Sequence, residues 1–284
     1  MTNPLNLLIL ARGYTTSLDK FMTYDYIKTL SEIEGVRKAG IFNSKVMDYL
    51  RQFIKKGIST LEINDLADEF ILKHGHKSAC LNYRGFPKSI CTSINNVACH
   101  GIPSEKDTLK SGDIVDIDFA TIVEGFYADQ AETFLVGDVS ADAKYLVEVT
   151  KKAFLLGIAT CMSGNPITAI ADTIDSYASS RNCSVVHEYG GHGIGTMLHD
   201  GLHIDFYRSS PFNRNLTMKP GMIFTVEPII NAGNFQVNTN SDGTVCTKDG
   251  SLSAHFEHTV LVTSSEPEIL TLPPSQNKEN SFFH

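Results

Sequence analysis

The stretch GDIVDIDFATIVEGFYADQ, residues 112–130, decides the fold. From Ile114 to Phe119, acids and apolar residues alternate with the period of two that a strand imposes. That places Asp116 and Asp118 on one face and Val115, Ile117 and Phe119 on the other. Glu124-Gly125 supplies a turn, and Ala128–Val136 returns as a second strand. Asp118 and Asp129 are expected to face each other across a hairpin centred between Val123 and Glu124. Two carboxylates so placed repel unless a cation lies between them. The alternative is a pair of solvated acids on an outer sheet face.

Upstream, Ser31-Glu32-Ile33-Glu34 reads as a capping box, and Ile33, Val36, Val46, Leu50, Phe53 and Ile54 follow at roughly helical spacing until Lys55-Lys56-Gly57 stops the helix. A second box, Ser59-Thr60-Leu61-Glu62, opens a helix that runs to about His74-Gly75. A shift of 107 residues superimposes Gly57 on Gly164, Ile63 on Ile170, Asp65 on Asp172, Asp68 on Asp175 and Phe70 on Tyr177. Both copies lead into expected strands, Ser78–Leu81 and Ser184–His187, and Ala141–Met162 reads as a long helix. Two helix–helix–strand units about a pseudo-twofold axis are expected, with a site between them. The rest is β-structure, including Met222–Glu227, stopped by Pro228, and Ala254–Val262, which contains Glu257.

Glu227 ends one apolar strand and Glu257 lies inside another. Buried glutamates are uncommon unless paired or coordinated, and neither Phe224, Thr225 and Val226 nor Phe256 offers a cation, so coordination is expected. His192 lies in Gly190-Gly191-His192-Gly193-Ile194-Gly195, whose spacing and setting do not fit a dinucleotide-binding loop. Asp118, Asp129, His192, Glu227 and Glu257 thus make four carboxylates and one imidazole with no thiolate. Such a set suits two divalent first-row ions bridged by shared carboxylates, with manganese, iron, cobalt and zinc all acceptable. Two such ions make a water-activating hydrolase site. His199 and His203 have the spacing of a zincin helix, but that motif needs Glu where Asp200 stands, and Gly201 weakens a helix. His199 is instead read as a neutral donor near a reacting carbonyl. His100 follows the loop Tyr83–Cys91; its aromatic and thiol side chains either line a pocket for a flexible apolar side chain or pack as ordinary core.

Across 284 residues, 42% are hydrophobic and 20% charged, enough for a sizeable buried core. The net charge is −8 and basic residues are dispersed, which excludes nucleic acid or an anionic membrane as the main partner. None of the six cysteines forms a Cys-x-x-Cys pair, and reduced thiols in a cytosol are expected. The Leu5–Leu10 run is too short to span a bilayer. Residues 1–18 lack acids, as a transit peptide would, but hold one arginine and no clear amphipathic helix. The expected organisation is an extension over residues 1–24, one catalytic domain over 25–272, and a polar tail over 273–284.

Taken in order, NYRGFPKSICTSINNVACHGIP, GDIVDIDFATIVEGFYAD, EYGGHGIG, KPGMIFTVEP and SLSAHFEHTVLV resemble the signature segments of type I methionine aminopeptidases, over roughly residues 25–272. The resemblance implies the pita-bread fold, an α/β (α+β) architecture in which two pseudo-symmetric halves hold a dinuclear metal site in a central antiparallel sheet. It carries the ligand roles to Asp118, Asp129, His192, Glu227 and Glu257, and substrate contacts to His100 and His199. Glu227 would serve as general base and then return a proton to the leaving amine. Tyr83, Phe86 and Cys91 are expected to line the methionine pocket, beside a tight subsite for a small second residue. The implied substrates are nascent polypeptide N-termini bearing the initiator methionine, met in the cytoplasm by a monomer that associates transiently with the ribosome. The stretch between His192 and Glu227 lacks the large insertion of the type II branch. Two departures stand out: the family's frequent Gly-Trp-Thr-Val is Asp242-Gly243-Thr244-Val245 in a chain without Trp, and Gly201–Arg214 differs from the usual pattern. Two other readings share the fold. Proline-directed peptidases and creatinases usually add an N-terminal domain, whereas about thirty residues precede the first helix here. Non-catalytic binding modules typically lose metal ligands, and all five are present here.

Overall fold

The computed structural model describes residues 26–272; the Leu5–Leu10 run, the transit-like segment and the tail from Pro273 lie outside the described residues. In chain order the first elements are α1 (Leu30–Arg51), α2 (Thr60–Lys73), β1 (Lys77–Ser78), β2 (Cys91–Ile94), β3 (Val97–Cys99), β4 (Ile114–Val123) and β5 (Phe126–Leu135). Then come α3 (Ala141–Ala159), α4 (Thr168–Ser179), β6 (Ser184–Val185), β7 (Gly191–His192), β8 (His203–Ile204) and β9 (Ile223–Val226). The last are β10 (Ile229–Asn231), β11 (Val237–Thr239), β12 (Val245–Thr247), β13 (Ser253–Leu261) and β14 (Glu268–Ile269).

Among the described residues, an antiparallel sheet runs in the order β1-β4-β5-β13-β10-β6, with β2 added to β4 and with β9 and β14 added to β13. The helices lie on its outer face, α1 against β4 and β5 and α3 against β13. Each half has its own apolar core. Phe42, Val46, Leu50, Ile63, Ile71, Ile117 and Phe119 fill the first, and Leu146, Phe154, Ile158, Ile170, Ile174, Phe224 and Phe256 the second. The repeat read from sequence is structural. Helices α2 and α4 lead into β1 and β6 at opposite ends of the sheet path, and Ile63 and Ile170 are both wholly buried. Gly57 and Gly164 both take left-handed backbone (φ +97 and +92).

Three local expectations shift. The box that caps α1 is Thr29 with Glu32, not Ser31 with Glu34, since both spacings match the motif and the tertiary pairing of Ile27 with Met222 keeps the chain extended up to Thr29. Helix α1 ends at Arg51, before Phe53, because Gly57 belongs to a later turn whose N–H bonds the Leu109 carbonyl. The hairpin pairs Val123 with Phe126 and Asp118 with Ala131, so its centre lies between Glu124 and Gly125. Both turn residues have positive φ (+51 and +87), the two-residue geometry that matches strand twist. Asp118 and Asp129 therefore share a face as diagonal neighbours rather than direct partners.

Candidate active site

Strand register builds the site. Asp118 on β4, Ala131 on β5 and Glu257 on β13 are successive cross-strand partners, so one small residue separates two carboxylates on the inner face. Asp129 stands two residues from Ala131 on that face. From the second half comes His192, whose backbone N–H donates to the Thr225 hydroxyl (2.9 Å). Its Nε2 lies 3.8 Å from Asp129 Oδ2 and 3.5 Å from Glu227 Oε1. Glu227 leaves the end of β9, and the Thr225 hydroxyl donates to it in a short bond. Oxygen and nitrogen atoms of Asp129, His192 and Glu257 lie within 4.8 Å of one another, the spacing of ligands around one ion. Gly193 is required here, because a Cβ would sit 1.8 Å from Asp200 Oδ1.

The electrostatics are those of ligands held for a cation. Burial, reinforced by Asp129, pushes the Asp118 carboxyl well above its usual range, and Glu257 is raised for the same two reasons. Burial with Glu227 nearby lifts Asp129 to about 7, and burial lifts Glu227 to about 7. Desolvation holds His192 neutral, near 4. Glu257 Oε1 is buried with no hydrogen-bond partner. A buried carboxylate oxygen without a partner is costly, and a divalent ion would relieve it together with the repulsion. The residues fit such an ion.

Beside the cluster stands a wall of planar side chains. The His199 ring lies over that of His192, with centroids 3.9 Å apart, and Tyr83 stacks on His199 at 5.3 Å and 14°. Tyr83 OH and His199 Nδ1 share a hydrogen bond of 2.8 Å. Desolvation first, then His192, keeps the His199 imidazole neutral. His100 opens to the cleft and packs edge-on against Tyr189 (5.4 Å). Its backbone is left-handed (φ +57), and at Gly101 a Cβ would meet the Thr92 carbonyl at 2.1 Å. Cys91 is buried on β2 directly opposite Asp118. Phe86 closes the short turn after Tyr83, half-buried, and none of the ring contacts described above reaches it. Thus Asp118, Asp129, His192, Glu227, Glu257, His199, Tyr83 and Cys91 converge; His100 lies on the cleft beside Tyr189, and Phe86 remains in the adjoining loop. His203 pairs with His192 across β7 and β8, but its Nε2 goes to Asp205 (2.8 Å), and residues 199–203 form no helix.

The expectation that no cation neighbours Glu257 is corrected by His255, one strand repeat away. Burial alone would lower its pKa, yet Asp116 above all raises it to about 9; Nδ1 of His255 and Oδ2 of Asp116 are 3.4 Å apart. Asp116, Asp118 and His255 form a second trio with potential ligand atoms within 4.8 Å. The period-two signal was available, since Asp116 and His255 stand two residues before Asp118 and Glu257. A second unanticipated contact joins Lys28, before α1, to Asp200 in a short, largely buried ion pair beside His199.

Residues 34–264 match the sequence profile of metallopeptidase family M24. Methionine aminopeptidase A of Synechocystis sp. is 45% identical over 251 residues, covering 87% of this chain and 98% of the relative. The crystal structure of methionine aminopeptidase from Rickettsia prowazekii superposes with a TM-score of 0.83 at 46% identity, over 87% of this chain and 99% of that one. The enzyme from Thermotoga maritima gives 0.83 at 34% identity, over 86% and 98%. The chain belongs to metallopeptidase family M24, among its methionine aminopeptidases. It has that family's pita-bread fold, and its inward acids and histidine include groups that could hold a metal ion. The fold likeness extends to an Xaa-Pro dipeptidase from Bacillus anthracis at 23% identity and a TM-score of 0.68, which speaks for the shared fold alone. Among the described residues no helix is long and apolar enough to cross a membrane.

Proposed function

We propose that this M24 enzyme removes the N-terminal methionine from polypeptides whose second residue is small. The observation that carries the reading is the convergence of Asp118, Asp129, His192, Glu227 and Glu257 at the seam of the two halves, walled by His199 and Tyr83. These five would hold two divalent ions, of manganese, iron, cobalt or zinc, which supply an activated water and draw charge from a peptide carbonyl.

The chain's own residues do the rest. Glu227, oriented by Thr225, takes the proton of the attacking water and passes one to the leaving amine. The Tyr83 hydroxyl holds Nδ1 of His199; in the tautomer where Nδ1 accepts that O–H, the proton sits on Nε2 and is donated to the developing oxyanion. His100, fixed by its left-handed backbone, bonds near the scissile nitrogen. Tyr83, Cys91 and Phe86 flank the methionine side chain. The acid-lined floor receives a free α-amine, which confines cleavage to chain ends. The next side chain is then pressed against the cleft wall, so Gly, Ala and Ser are accepted there. Such an enzyme works as a monomer on nascent chains in the cytoplasm, in transient contact with the ribosome.

Methionine release from a Met-Xaa-Ser series, run beside Xaa-Pro peptides, tests the proposal. Fast release for Xaa = Gly, Ala or Ser, slow release for Leu, Lys or Phe, and intact Xaa-Pro peptides are expected. Preferential cleavage of Xaa-Pro would assign the chain to the proline-directed branch.

A further inference from the structure

The row of stacked side chains that begins at the acid cluster does not stop at Tyr83. The Arg84 guanidinium lies over the Tyr83 ring, 5.4 Å from its centroid. His192, His199, Tyr83 and Arg84 are thus linked by successive contacts of 3.9, 5.3 and 5.4 Å, from buried His192 to exposed Arg84. Together these span at most about four extended residues. Arg84 is exposed and makes no ion pair among the described residues, unlike Arg37, Arg51 and Arg208. Its backbone is left-handed (φ +49), between Asn82 (φ +66) and Gly85 (φ +89), a conformation that costs energy in any long side chain and is held by the Tyr83–Phe86 turn. The charge is felt inside the site: after burial and His192, Arg84 contributes to lowering the His199 pKa. A planar cation of five donors, exposed, without an ion pair among the described residues and one ring beyond His199, matches a carboxylate within reach of the site.

We infer that Arg84 is a specificity residue that favours polypeptides with an acidic side chain at the third or fourth position. This rests on the aminopeptidase reading above. The net charge of −8 opposes acidic peptides at long range, but that background is common to Arg84 variants and cancels in their comparison.

The test measures kcat/KM for C-terminally amidated pentapeptides, Met-Ala-Asp-Ser-Gly against Met-Ala-Lys-Ser-Gly, and the pair with the charge moved to the fourth position. Amidation removes the terminal carboxylate as a competing partner. An exposed ion pair predicts a preference of about two- to fivefold for Asp at one of the two positions, shrinking as salt is raised. Arg84→Asn, chosen because Asn tolerates left-handed backbone, should abolish the preference, and Arg84→Glu should turn it toward Lys. Equal rates for Asp and Lys in the unaltered enzyme, or a preference that persists in Arg84→Asn, overturns the inference while leaving the aminopeptidase reading intact. If no peptide releases methionine, that reading fails and the inference falls with it.

Discussion

At the scale of single residues, the site separates groups that would hold a metal from a group that would act only on the reacting carbonyl. Asp118→Ala should abolish bound metal and methionine release together. His199→Ala should leave bound metal intact and lower kcat by about a hundred- to a thousandfold, the range seen when one oxyanion donor is lost. Metal content by elemental analysis, beside steady-state kinetics, checks both; metal loss in His199→Ala would make that residue a ligand. The four acids and one imidazole were legible because apolar flanks around Glu227 and Glu257 leave a carboxylate few other uses. His255 was not. A histidine inside a strand carries no charge label of its own, and only its approach to Asp116, from a strand distant in sequence, makes it a cation.

At the scale of elements, loops deliver what strands cannot. His192 and His199 sit at the two ends of a loop closed by the Asp200 N–H bonding the Gly193 carbonyl (2.9 Å) and by the Asp200–Lys28 pair. Its side chains are only 10% and 14% exposed, so the pair is sheltered enough to matter. Asp200→Asn should loosen His199 and cut kcat several-fold. A thermal-melting cycle with Lys28→Met should show coupling of about 0.5–3 kcal/mol. Additive losses in that cycle would mean the pair does not hold the loop. The alternation in residues 112–130 located both strands and the correct face, yet placed the turn centre one position early; Asp118 pairs with Ala131, two residues beyond Asp129. Hydrophobic period fixes faces; the turn's backbone angles fix register, and Glu124 in a left-handed conformation is not a residue that advertises them. Lys28–Asp200, spanning 172 residues, has no local trace at all.

At the scale of the whole molecule, the charge buried at the seam makes stability depend on metal and pH together. Asp129 and Glu227 titrate near 7 in the fold, above their ordinary 3.8 and 4.5. Carboxyls raised in this way favour the fold while protonated, and that contribution is lost as pH rises through about 7. A divalent ion replaces those protons. The difference in melting temperature between metal-loaded and chelated protein should therefore widen from pH 5.5 to pH 8, by roughly 2–4 °C for each kcal/mol of repulsion relieved. A gap independent of pH would show that the ion does not displace those protons. The two-half architecture was legible at this scale because a faint repeat survives in the sequence, Gly57 with Gly164 and the buried Ile63 with Ile170 among its matches.

That architecture also splits the ligand set. Asp118 and Asp129 come before the exposed Gly137-Asp138 link, and His192, Glu227 and Glu257 after it. The β5–β13 ladder is what brings the two portions into one sheet. A chain divided at that link would yield two catalytically silent pieces, each holding an incomplete claw for the ion. Turnover would report only their reunion, so the fold is by construction a coincidence detector whose output is a released amino acid.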